Sequence, residues 1–163
     1  MWEDDPHHRG FAAMLDELNA ETERGVALVV TSYLDTLLGD ALAAFLINNE
    51  SAHALLTSFN APFGTLSTKI AGCHALGIVT DAEMRECHIL RRIRNEFAHQ
   101  IEVTFNTDKV RDLCANLTLP RALEATMTSR HRFVRAAISL LTSLINRSYY
   151  VGEKRLKYGN WKR

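Results

Sequence analysis

The residues best equipped for chemistry fall in one run, Ile89-Leu-Arg-Arg-Ile-Arg-Asn-Glu-Phe-Ala-His99. Its composition predicts a helix, and on a helix residues four apart share a face, so Asn95 and His99 stand one turn from each other. Arg94 lies five residues before His99, round the side of an ideal helix, but its guanidinium is long enough to curl back toward the same spot. A fork of N–H donors, an amide and an imidazole within reach of one point can hold an anion or a phosphate. The same residues also make an ordinary charged helix end. His99 would then sit near the negative end of the helix dipole, with the arginines paired to Glu86 or Glu96.

Other constellations yield to plainer explanations. Glu50/His53 and Glu96/His99 have the Glu-x-x-His spacing of carboxylate-bridged di-iron bundles, but no matching inward glutamates stand out on two further helices. Cys73-His74 and Cys87-His88 look like paired zinc ligands. Neighbours on a helix point about 100° apart, however, so each pair reads as a core thiol beside a half-exposed ring. The stretch from Glu153 to Arg163 interleaves basic residues with Tyr158 and Trp161, which suits phosphate contact with base stacking, or a solvated terminus. There is no helix-turn-helix pattern, no Gly-rich phosphate loop and no Gly-x-Ser-x-Gly elbow. No metal and no cofactor is expected.

The elements that must position these residues are helical. Phe11, Met14, Leu15 and Leu18 predict a helix over about 8–22. From Val26 to Ile47 the residues Val30, Leu34, Leu37, Leu38, Ala41, Leu42 and Phe45 make a broad apolar face, while Arg24, Thr31 and Asp35 share a separate stripe, as in the central helix of a bundle. Phe59-Asn-Ala-Pro-Phe-Gly64 is a loop, and Thr65 caps a short helix ending at Gly77, with Lys69 one turn in. Thr80-Asp-Ala-Glu83 is a capping box that starts the helix ending at His99, with Leu90, Ile93 and Phe97 on its buried side. A loop over 100–105, a short helix over 107–116, a break at Leu119-Pro120 and a helix from Thr128 to Tyr150 follow. The last of these buries Phe133, Ala137, Leu141, Leu144 and Ile145. The expected fold is all-α, a single-domain helical bundle of five to seven helices, with residues 1–152 as the domain and 153–163 as a basic C-terminal tail.

Nineteen basic residues balance nineteen acidic ones among 163, so any nucleic-acid contact must be local. Thr31, Ser32, Asp35, Thr36 and Asp40 interrupt the longest apolar stretch, which argues against a membrane span. Three widely spaced cysteines, none in Cys-x-x-Cys, read as reduced and buried. The start Met-Trp-Glu-Asp-Asp-Pro lacks a basic segment followed by an apolar core, so no secretory leader is expected. A soluble cytoplasmic protein is the expectation.

Four segments together resemble the mannitol operon repressor (MtlR-like) proteins of bacteria. They are Glu23-Arg24-Gly25 with Ala27-Leu28 and Tyr33-Leu34-Asp35; Phe59 to Ile70; Ala75-Leu-Gly-Ile78; and Ile89 to His99. Order and spacing agree over about residues 16–116, with Glu23 where the family usually has Asp. The family also resembles, distantly, the helical HEPN domains, whose ribonucleases carry an Arg, a polar residue and a His in the pattern of Arg94, Asn95 and His99. The resemblance implies a non-enzymatic transcriptional regulator, a homodimer, acting through a protein partner or a small ligand, with direct base reading doubtful. Arg24, Asp35, Lys69, Arg94, Asn95 and His99 would line one polar pocket, and Arg94 is expected to pair with Asp35. The alternative is a metal-independent ribonuclease acting on RNA, with His99 as base, Arg94 on the phosphate and Asn95 orienting either group.

Overall fold

The longest apolar face in the chain forms its longest helix. In a computed structural model that describes residues 6–118 and 127–162, α2 (Glu23–Phe45) starts at Thr22, whose side-chain oxygen accepts from the Gly25 N–H. Val26, Val30, Leu34, Leu38 and Leu42 on it are buried. By length and composition this 23-residue helix, whose most apolar 18 residues have a mean hydropathy of 1.5, is apolar enough to cross a membrane, but half of that stretch is buried within the bundle. Around α2 stand α1 (Pro6–Ala20), α3 (Glu50–Thr57), α4 (Leu66–Ala75), α5 (Asp81–His99), α7 (Ser129–Leu144) and α8 (Arg147–Gly152), all touching it, while α6 (Asp108–Ala115) packs on α5 and α7. This is a helical bundle: seven helices of eight residues or more, one of six, and no strand among the described residues. The Leu119-Pro120 break, the first five residues and Arg163 lie outside those residues.

Local chemistry sets the helix ends that matter for the site. Thr65 and Thr68 form a capping box at the start of α4, and Thr80 and Glu83 form another at the start of α5. Helix α5 buries Cys87, Leu90, Ile93 and Phe97, and the Phe97 ring continues through Phe105 (4.9 Å) to Phe133 on α7 (5.2 Å). Such ring pairs add about 0.5–1.5 kcal/mol each beyond their burial. The segment after α5 is a loop held down by Val103 and Phe105, with the Phe105 N–H donating to Glu23 Oε2 at 2.9 Å.

Two helices, α3 and α8, stand beyond those expected from the sequence. The polar stretch around Glu50 and His53 is its own helix, α3, because the Asn49 side chain accepts from the Ala52 N–H at 2.9 Å and caps it. The helix expected to run to Tyr150 breaks at Ile145 and Asn146. The break turns α8 across α2, where a Cβ on Gly152 would already touch the Ala44 Cβ at 3.9 Å. Arg147 secures the turn: its guanidinium donates to Glu83 (2.6 and 3.2 Å) and to the Ile78 carbonyl. Beyond α8, Arg155 donates to the carbonyls of Ala43 (3.2 Å) and Leu46 (2.8 Å), and the Leu156 N–H donates to Phe45 O (2.8 Å). The first part of the basic tail is therefore fastened to the end of α2, while the Tyr158 and Trp161 rings are exposed.

Candidate functional site

A cleft of about 650 Å³ opens between α2, the start of α4 and α5. Leu28, Thr31, Ser32 and Asp35 reach it from α2, since that spacing keeps them on one face. Thr31 is buried and donates its hydroxyl to the Ala27 carbonyl at 2.8 Å. The capped turn Gly64-Thr65-Leu66-Ser67 forms a second wall. Its approach to the bundle depends on Gly72, where a Cβ would lie 2.7 Å from the Phe63 ring. Arg91, Arg94 and Asn95 form the third wall, at i, i+3 and i+4 on α5 and on the side away from Leu90, Ile93 and Phe97.

The charges in the cleft pair differently from the sequence expectation. Lys69 Nζ donates to Asp35 Oδ2 at 2.6 Å. Its stem lies over Gly39, where a Cβ would meet Lys69 Cε and Nζ at 3.6 Å. The expected Arg94–Asp35 pair does not form, because Asp35 takes its cation from α4 and Arg94 lies exposed, donating from Nη1 to Asn95 Oδ1 at 3.2 Å. The deeper arginine of the cleft is Arg91, one turn earlier. Asp35 Oδ1 and Arg91 Nε are both buried with no partner among the described residues. The sequence reading missed Arg91, although its place three before Arg94 and four before Asn95 puts it on their face.

Of the six residues expected in one pocket, Asp35, Arg94 and Asn95 line the cleft and Lys69 joins it through Asp35. Arg24 and His99 are not among its lining. Arg24 Nη2 donates to the carbonyls of Gln100 (2.7 Å) and Ile101 (3.0 Å), just past α5, and His99 is the exposed last residue of that helix. The acidic partners expected for the arginines are engaged elsewhere: Glu86 accepts from the Thr118 N–H and hydroxyl, and Glu96 pairs with Lys109 at 2.7 Å. Burial first, and then the Arg91 charge, push the His88 pKa down.

The metal-like pairs have other work. His53 bonds to Thr57 (3.1 Å) and His74 to Asp81 (2.7 Å). Burial pushes the thiols of Cys73, Cys87 and Cys114 up to about 12, so they are protonated at neutral pH. Among the described residues no three of His, Cys, Asp and Glu converge on a metal position.

No family model matches the chain, and no curated protein matches it. A solved structure does: the X-ray structure of the MtlR-HPr complex from Escherichia coli holds a chain with TM-score 0.57, 18% identity and a match covering 88% of this chain and 99% of that one. The fold is MtlR-like. In this MtlR-like bundle the cleft lies beside the central helix, so its walls come from three elements far apart in sequence.

Proposed function

We propose that this chain is a regulatory module of the MtlR kind, a cytoplasmic transcriptional repressor that acts through a protein partner rather than by reading bases or by catalysis. The observation that carries the reading is the match over 88% of this chain and 99% of a chain solved in complex with HPr. The balance of nineteen basic and nineteen acidic residues agrees with it, since a duplex-binding surface would need a concentrated basic face. The ribonuclease alternative is not favoured: Arg94 and Asn95 line the cleft, whereas His99 is exposed at the helix end and outside its lining.

Isothermal titration of the purified chain with HPr tests the proposal. Saturable binding that co-elutes on a sizing column is expected, and the same column reads whether the chain pairs with itself. Absence of binding at the highest soluble concentrations would overturn partnership with HPr. Cleavage of total RNA in EDTA by the parent but not by His99→Ala would replace the whole reading with the ribonuclease one.

A further inference from the structure

We propose that the cleft between α2, the start of α4 and α5 binds a small hydroxylated organic phosphate, a role separate from partner docking. The charges come first. Asp35 already has Lys69 at 2.6 Å, whereas among the described residues Arg94 bonds only to the neutral Asn95 amide and Arg91 has no hydrogen-bond partner at Nε. Two guanidinium groups thus face one cleft without a carboxylate bonded to either, which suits a dianion with several acceptor oxygens.

The opposite wall adds donors. Thr65 uses its side chain to cap the Thr68 N–H, and the first turn of α4 carries no acidic residue. The N–H groups of Leu66 and Ser67 belong to the opening turn of a ten-residue helix, have no intrahelical acceptor, and come from residues that line the cleft. They bring the positive end of the α4 dipole to the same space as the two arginines.

The floor of the cleft calls for more than inorganic phosphate. Asp35 Oδ1 and Arg91 Nε are closed to solvent behind the lining and have no partner among the described residues, so a ligand's hydroxyls are met by the accessible side chains of the walls. Ser32, Thr65 and Ser67 place further hydroxyls on the walls. A volume of about 650 Å³ fits a small molecule with a polar body.

The test is calorimetric titration of the full chain, without any partner protein, with glycerol 3-phosphate, ribose 5-phosphate and glucose 6-phosphate. Glucose and inorganic phosphate serve as separate arms. At least one sugar or polyol phosphate should bind saturably and more tightly than inorganic phosphate, with glucose silent. Arg94→Ala, an exposed position, should weaken that binding by about tenfold or more, the cost of one charge-assisted bond. Arg111→Ala on α6, remote from the cleft lining, should leave it unchanged. Failure of all three phosphates to bind, equal binding of inorganic phosphate, or indifference to Arg94→Ala would each overturn the assignment. Because HPr is absent from these titrations, they stand or fall separately from the docking proposal.

Discussion

Replacing Lys69 by Met keeps the apolar stem across Gly39 and deletes the charge that answers Asp35, so it isolates one ion pair of the cleft. The Lys69 side chain is 13% exposed and that of Asp35 36%. Breaking a fully buried pair costs about 3–5 kcal/mol, whereas an exposed pair is worth about 0–1. With the lysine nearly enclosed and the carboxylate about one-third open to water, Lys69→Met should cost about 2 kcal/mol, between those limits. At about 2–4 °C per kcal/mol for a chain of this size, the melting temperature should fall by about 4–8 °C. Asp35→Asn combined with Lys69→Met should lose less than the sum of the two single changes, by about 1 kcal/mol of coupling. Arg94→Ala should change the unfolding free energy by no more than about 0.5 kcal/mol, because among the described residues its side chain bonds only to its neighbour. Calorimetric unfolding at neutral pH and low salt reads the parent, the two single variants, the double variant and Arg94→Ala. The pairing argument fails if Lys69→Met melts like the parent, if the two changes add without coupling, or if Arg94→Ala costs as much as Lys69→Met.

Burial pushes the Glu83 carboxyl up, but hydrogen bonds from Arg147 and Thr80 outweigh it and hold its pKa below the ordinary 4.5. A depressed folded-state pKa means stability that is present above the ordinary value and lost as pH falls through the folded one. The urea midpoint should therefore drop below about pH 4.5, and Arg147→Met should flatten that drop; an unchanged slope would exclude Glu83 as its source. At Gly72 a new Cβ must displace the Phe63 ring from 2.7 Å. Gly72→Val should cost about 1–3 kcal/mol in thermal unfolding, with less lost in a Phe63→Ala background. Iodoacetamide at pH 8 should leave Cys73, Cys87 and Cys114 largely unlabelled until urea opens the fold, and rapid native labelling of all three by mass spectrometry would contradict their burial.

Where local chemistry decides, the chain announced its structure. Helix α5 runs from Asp81 to His99 as expected, because Thr80 and Glu83 fix its start and Leu90, Ile93 and Phe97 fix its phase. The stripe on α7 was equally plain. The break before α8 was not, because Ile145 and Asn146 are tolerable helix residues and the turn answers a demand from α2, more than a hundred residues away. The cleft was half legible for the same reason. Periodicity says that Asp35, Arg94 and Asn95 leave their helices on the polar side, but not which of several cations reaches Asp35 first. That choice depends on the spacing between α2 and α4 at Gly39 and Lys69. Arg24 shares the helical stripe of Thr31 and Asp35, yet serves the carbonyls of Gln100 and Ile101 instead.

The fastening of Arg155 to Ala43 and Leu46 sets an order in time. Helix α2 leaves the ribosome with its terminal carbonyls waiting for an arginine 109 to 112 residues downstream. At about 5–20 residues per second, that interval is on the order of ten seconds. Throughout it the cell holds a nascent chain whose α2, with an 18-residue stretch of mean hydropathy 1.5, has the length and greasiness of a membrane anchor. Cover for it comes first from α1, made before it, and then from α3, α4 and α5 in the order they emerge. The arginine that finishes the helix thus acts as a latch that closes only after residue 155 has been made, and the polar residues scattered along α2 interrupt its apolar surface until then.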